Sequence, residues 1–220
     1  LSRVKTSTQA VLRAEAAFER DGVAFAAPQY RWPVLAGLLE VAARDGELKV
    51  LDFGGSLGSL YWQHRKFLTG LKVSWGVVEQ PEFVAVGKDL DQSSIDFFSS
   101  VTEYLESVTP NVVLLSSVLQ YLPNPEQALR ELIATPADTV ILDRTPISAA
   151  TSNLPCLQVV PRHIYAGNYP AWIFSETWLR NQLAGWEIVA EFDGIEPAGQ
   201  TKNGINFSWD GLIVRRKAND

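Results

Sequence analysis

The sequence predicts an α/β fold built on a largely parallel sheet, and three observations carry that prediction. From residue 49 onward, short apolar runs of the kind found in buried parallel strands alternate with amphipathic helical stretches. The first of these runs, Lys49-Val50-Leu51-Asp52-Phe53, passes at once into Gly54 and Gly55, as a strand entering a tight turn does. The last two runs, Trp186 to Phe192 and Asn206 to Arg216, are joined by a short polar stretch that favours an antiparallel pair. Five strand–helix units and this terminal pair make seven strands.

In chain order, Val11, Leu12, Glu15 and Phe18 fall at helical spacing over 7 to 20, and a second helix runs from Pro33 to Asp45-Gly46. Residues 1–48 are therefore expected to be a helical N-terminal segment of the same domain, with 49–220 as its sheet-bearing part. A helix is expected at 59 to 68, a second strand at Val73 to Val78, a helix from Pro81 to Leu90 and a short third strand at Ile95 to Phe98. Asn111 to Leu115 reads as strand four and Thr139 to Leu142 as strand five. Between them Asn124-Pro125-Glu126-Gln127 has the form of a capped helix start, with Asn at the cap and Gln three residues on. Residues 144 to 174 show no clear period and read as a long irregular segment, a length usually kept for function. Ser175 then caps a helix that Gly185 ends.

Composition narrows the function classes. The 220 residues are 46% hydrophobic and 20% charged, enough apolar side chain for one sizeable core. A net charge of −6, with no cationic run longer than Arg215-Arg216-Lys217, argues against a nucleic-acid partner. No apolar run is long enough to span a membrane, and the first residues lack the hydrophobic core of a secretory signal, so the expected compartment is the cytoplasm. The single cysteine, Cys156, and two histidines offer no structural metal site. The absence of methionine, the initiator included, suggests a trimmed chain.

The densest chemical signal is Asp52-Phe53-Gly54-Gly55-Ser56-Leu57-Gly58, where glycines between a buried strand and a helix let a ligand approach the backbone closely. Neither Gly54 nor Gly55 starts a complete dinucleotide fingerprint, and no triphosphate-binding loop is present, while a nucleoside without a cradled phosphate stays open as a ligand. Glu79 directly follows the second strand, where a carboxylate can accept both hydroxyls of a ribose.

These residues resemble those of the class I S-adenosylmethionine-dependent methyltransferases. In that superfamily a strand ending in Asp/Glu-x-Gly-x-Gly-x-Gly holds the methionine part of the cofactor, and an acid after strand two holds the ribose. Asp52, Gly54 and Gly58 match, whereas Ser56 stands at the middle glycine. More narrowly, Leu51 to Ser59, Val78-Glu79-Gln80-Pro81, Ser116 to Leu122, Asp143-Arg144-Thr145-Pro146 and Tyr169 to Glu176 look like a bacterial group of methyltransferases in that superfamily. The resemblance implies a Rossmann-like seven-stranded methyltransferase sheet with helices on both faces and a helical N-terminal extension. It also implies S-adenosyl-L-methionine as cofactor, held by Asp52, Gly54, Gly55, Ser56, Gly58, Glu79, Gln80, Ser100 and Ser116. The implied acceptor is a small molecule, and because members of the group occur near surface-polysaccharide genes, a sugar or sugar-nucleotide hydroxyl. A non-catalytic nucleoside-binding module and, behind it, an NAD-dependent oxidoreductase are the rival readings.

Because a sulfonium methyl is already activated, alignment and exclusion of water suffice for transfer, and no catalytic residue is obligatory. His163, in the irregular segment beside Tyr165, is a candidate proton acceptor or a surface histidine without a role. Asp143, at the end of strand five, is a candidate base, an N-cap, or an ion-pair partner of Arg144. Tyr165, Tyr169, Trp172 and Phe174 either wall a pocket or pin the segment. His64 shares the apolar face of its helix with Leu60, Tyr61, Phe67 and Leu68, the position of a packed histidine.

Overall fold

In the computed structural model, which describes residues 1–90, 94–160 and 167–217, the chain forms two compact units. The first comprises residues 1–115 and 136–139, the second residues 116–135 and 140–220. No helix among the described residues is long and apolar enough to cross a membrane.

The first unit opens with α1 (Ser2–Leu12), which stops earlier than the spacing of Val11, Leu12, Glu15 and Phe18 predicts. Phe18 instead belongs to a hairpin of β1 (Phe18–Arg20) and β2 (Val23–Phe25), so residues 1–48 are not wholly helical. The reason lies in Asp21-Gly22: both residues take left-handed backbone, φ 53° and 77°, as a tight two-residue hairpin turn requires. Phe18 then stacks on Phe25 across the pair at 4.6 Å. Next come α2 (Trp32–Asp45), β3 (Leu48–Phe53), α3 (Ser59–Leu68), β4 (Val73–Val78), α4 (Pro81–Asp89), β5 (Asp96–Phe98), α5 (Val101–Ser107) and β6 (Val112–Ser116). The four strands pair in the order β6-β3-β4-β5, all parallel. Their register aligns Phe53 with Val78 and Val78 with Phe98, which brings the carboxyl ends of β3, β4 and β5 level. Val50, Leu51 and Asp52 are buried in succession, the mark of a strand covered on both faces. The same unit buries Leu35, Leu38, Leu48, Trp75 and Tyr104, each of which contributes on the order of 1.5–3 kcal/mol by leaving water.

The second unit contains a 3₁₀ turn at Leu119–Tyr121, α6 (Pro125–Ile133), β7 (Thr139–Ser148), β8 (Leu154–Val160), β9 (Gly167–Ser175), α7 (Glu176–Gln182), β10 (Trp186–Asp193), β11 (Gly199–Gln200) and β12 (Asn206–Arg216). Its strand order is β10-β12-β7, with β12 antiparallel to β10 as expected for the terminal pair. Ser175 caps α7 by accepting the Trp178 N–H, also as expected. Asn124 takes the cap position of α6, yet its side chain makes no capping bond, and Gln127 bonds Glu131 instead.

The irregular segment expected at 144 to 174 is mostly strand. β7 runs on to Ser148, and β8 and β9 form an antiparallel pair from Leu154↔Ile173 to Val160↔Gly167. Pro155 and Pro170 hid this pair in the sequence, because proline removes a ladder donor and argues against a central strand. β8 tolerates Pro155 because it pairs with β9 and, among the described residues, with no other strand.

Candidate functional site

The turn from β3 into α3 is shaped by three left-handed residues: Gly54 at φ 71°, Ser56 at φ 58° and Gly58 at φ 83°. The Gly54 N–H still extends the β3–β4 ladder to the Val78 carbonyl at 2.9 Å, and the Gly58 N–H closes the turn on the Gly55 carbonyl at 2.9 Å. Ser56 thus occupies the middle-glycine position in the conformation that glycine would take, at a cost of about 1–2 kcal/mol for an L-residue. Two of the glycines are dictated by the protein's own atoms. A Cβ on Gly55 would strike the Asp52 carboxylate, and a Cβ on Gly58 would strike Ile95.

Glu79 stands one residue beyond β4, where its N–H donates to the Phe98 carbonyl at 3.0 Å and keeps the sheet's register past the strand end. Its carboxylate accepts the Ser56 N–H at 3.2 Å on Oε1 and the Gln80 N–H at 2.8 Å on Oε2. Burial pushes the Glu79 carboxyl up, opposed by those two N–H groups. Each oxygen accepts one backbone N–H and keeps acceptor capacity for a ligand hydroxyl. Behind the turn, Asp52 is buried and accepts the Trp75 Nε1–H at 3.0 Å. Burial pushes its carboxyl up to about 7, against the pull of the Trp75 bond and with the charge of Glu79 adding to the rise. Gln80 is exposed and serves as the N-cap of α4. Ser100 is exposed and caps α5, accepting the Glu103 N–H at 3.0 Å while Glu103 accepts the Ser99 N–H at 2.6 Å. The structure thus brings Asp52, Gly54, Gly55, Ser56, Gly58 and Glu79 together. The Ser100 hydroxyl is engaged in capping.

In the second unit, Ser116 donates its hydroxyl to Asp143 Oδ2 at 2.7 Å, and the Ser117 N–H donates to the Asp143 carbonyl at 2.9 Å. Asp143 is fully buried and lies within β7, five residues before its end, so it neither ends the strand nor caps a helix. Arg144 is bonded to Glu196, its Nε donating at 2.6 Å. Arg144 also takes left-handed backbone at φ 55° in mid-strand, a strain of roughly 1–3 kcal/mol of the kind that gathers at functional sites. Sequence reading missed Glu196, whose pairing with Arg144 crosses 52 residues and leaves no local pattern. His163 and Tyr165 lie outside the described residues. Of the other aromatics, Phe174 is core, stacked on Trp178 at 5.0 Å. Trp172 donates its Nε1–H to the Leu122 carbonyl at 3.1 Å, and Tyr169 meets Tyr121 edge to face at 5.4 Å. His64 is packed: its Nε2 accepts the Arg31 N–H at 3.0 Å and its Nδ1 faces the Leu60 carbonyl at 2.8 Å. Cys156 is free and half-buried. Among the described residues no cluster of histidine, cysteine and carboxylates fits a metal ion.

No family model matches the sequence, and no curated protein matches it. Solved structures do. The N-terminal domain of EvdMO1, determined in the presence of SAH and D-fucose, is 13% identical and aligns over 99% of this chain and 98% of its own with a TM-score of 0.60. SAM-bound CalS10, an amino pentose methyltransferase from Micromonospora echinaspora involved in calicheamicin biosynthesis, is 13% identical over 96% of each chain with a TM-score of 0.55. LepI in complex with SAM is 13% identical over 90% of this chain and 49% of its own, with a TM-score of 0.53. At such identities the likeness is one of fold, and it extends over almost the whole chain. The chain has the Rossmann-like α/β fold of the class I S-adenosylmethionine-dependent methyltransferases.

Proposed function

We propose that the protein is an S-adenosylmethionine-dependent methyltransferase acting on a small-molecule acceptor, with a sugar or sugar-nucleotide hydroxyl as the acceptor group. The observation that carries the reading is the Glu79 carboxylate bonded to the Ser56 N–H of the turn after β3. That arrangement fits a nucleoside: a carboxylate with acceptor capacity on both oxygens for ribose hydroxyls, beside a glycine turn that carries no lysine or arginine for a phosphate. The cofactor set within the first unit comprises Asp52, Gly54, Gly55, Ser56, Gly58, Glu79, Gln80 and Ser100. When bound, S-adenosylmethionine supplies an electrophilic methyl group on a sulfonium.

The residues' own tasks follow from their bonds. Glu79 binds the ribose hydroxyls, and the Ser56 N–H orients it for that purpose. Asp52 holds Trp75 and fills the space beneath Gly55. Asp143 fixes the Ser116 hydroxyl, so it acts as a positioning residue, and His163 and Tyr165 are the candidates for taking the acceptor's proton. Residues 1–48 serve the same domain, in keeping with their membership of the first compact unit. Two structural neighbours support the acceptor class, one determined in the presence of D-fucose and one an amino pentose methyltransferase. Calorimetric titration with SAM, SAH and NAD in parallel tests the reading. Binding of both SAM and SAH without NAD is expected, and binding of NAD alone would contradict it.

A further inference from the structure

In the second unit, the carboxyl end of β7 opens into a cleft of about 760 Å³, with Ser148, Glu176, Gln200, Asn206, Phe207 and Asp210 among its walls. That volume suits a small molecule, and the carboxyl ends of strands in α/β sheets are where ligands settle.

The wall made by β11 and β12 has a defined chemistry. The two strands pair Gly199 with Phe207 and Gln200 with Asn206. Gln200 Nε2 donates to Asn206 Oδ1 at 2.9 Å, which occupies the donor end of one amide and the acceptor end of the other. Gln200 Oε1 is left as an acceptor beside the Nδ2 donor of Asn206. Neighbouring hydroxyls, each donor and acceptor at once, complement such a pair. Side chains alternate along a strand, so Asn206, Ser208 and Asp210 share one face of β12 while Phe207 and Trp209 stand on the other. On the Asn206 face the Ser208 hydroxyl donates to Asp210 Oδ2 at 2.8 Å, which leaves the hydroxyl oxygen able to accept from a ligand hydroxyl. Among the described residues no lysine or arginine lines the cleft, and its Glu176 is paired with Arg180 at 2.9 Å, so the lining offers a phosphate no cationic donor.

We infer that this cleft is a carbohydrate site: it binds one ring of a neutral, polyhydroxylated small molecule through the Gln200–Asn206 amide pair and the Ser208–Asp210 pair on the same face of β12. That the ring belongs to the methyl acceptor rests on the methyltransferase reading above. The site itself does not.

The test is an NMR titration of the full chain with D-fucose, D-glucose and D-xylose, with glucose 1-phosphate as the charged control and SAH titrated separately. At least one neutral sugar should shift the amide resonances of Gly199, Asn206 and Phe207. Gln200→Ala and Asn206→Ala, both at exposed positions, should each weaken that sugar by about tenfold or more while leaving SAH affinity unchanged and the fold intact by circular dichroism. The inference is overturned if no neutral sugar shifts these amides, if both variants bind the sugar as the parent does, or if glucose 1-phosphate binds more tightly. Sugar binding without SAH binding would overturn the methyltransferase reading and leave the carbohydrate cleft standing. SAH binding without any sugar would do the reverse.

Discussion

Glu79 Oε1 accepts the backbone N–H of Ser56 at 3.2 Å, a bond that ties the end of β4 to the turn after β3. It forms because Ser56 takes left-handed backbone, φ 58°, which a serine does at a cost. The turn's geometry is therefore retained although its middle residue is not glycine.

Substitutions at position 56 should report that strain. Ser56→Gly gains by relaxing the left-handed backbone and loses some unfolded-state entropy, so it should be neutral or stabilising by up to about 1 kcal/mol. Ser56→Val, β-branched at positive φ, should destabilise by about 1–2 kcal/mol. Urea denaturation of both proteins checks the order, and a valine variant as stable as the glycine variant would count against it.

Gly58 should behave as a folding residue. Its φ of 83° and the collision of any Cβ with Ile95 mean that Gly58→Ala destabilises the protein by about 2 kcal/mol or more before any ligand is considered. A melting curve without ligand tests this, and an unchanged melting temperature would show that the turn has room to spare.

Asp52 gives a pH signature. Its carboxyl is pushed up to about 7 in the folded chain, chiefly by burial, against an ordinary 3.8. Between those values the folded state binds more protons than the unfolded state, so stability falls as pH rises from about 4 to about 7. Asp52→Asn, which keeps an oxygen for the Trp75 N–H, should flatten that fall. At one pKa unit to about 1.4 kcal/mol, it should stabilise the protein near pH 8 by on the order of 2–4 kcal/mol. Thermal melts of both proteins across this range decide the matter.

How much of this was legible in the sequence varied with the physics involved. The turn after β3 and the acid after β4 could be read because both follow directly from buried strands, and local sequence fixes where a strand ends. The β1–β2 hairpin carried an equally local signal in Asp21-Gly22, but the helical spacing of Val11, Leu12, Glu15 and Phe18 pointed the other way. Phe18 earns its burial by stacking on Phe25, not by lying on a helix face. The β8–β9 pair was obscured by Pro155, in a strand that pairs with β9 alone among the described residues, and by Pro170, which precedes the stretch of β9 at Phe174 and Ser175 that pairs with β7; a single sequence marks neither position as free of a second partner. The Arg144–Glu196 pair depends on chain topology alone.

The measurement that tests the central claim most directly is the affinity of SAH for the parent protein and for Glu79→Ala, both by calorimetry. A charge-assisted contact to two ribose hydroxyls is worth on the order of 2–3 kcal/mol, so the variant should bind about 30- to 150-fold more weakly, with its fold intact by circular dichroism. A loss below about threefold, or no SAH binding by the parent protein, would contradict the account.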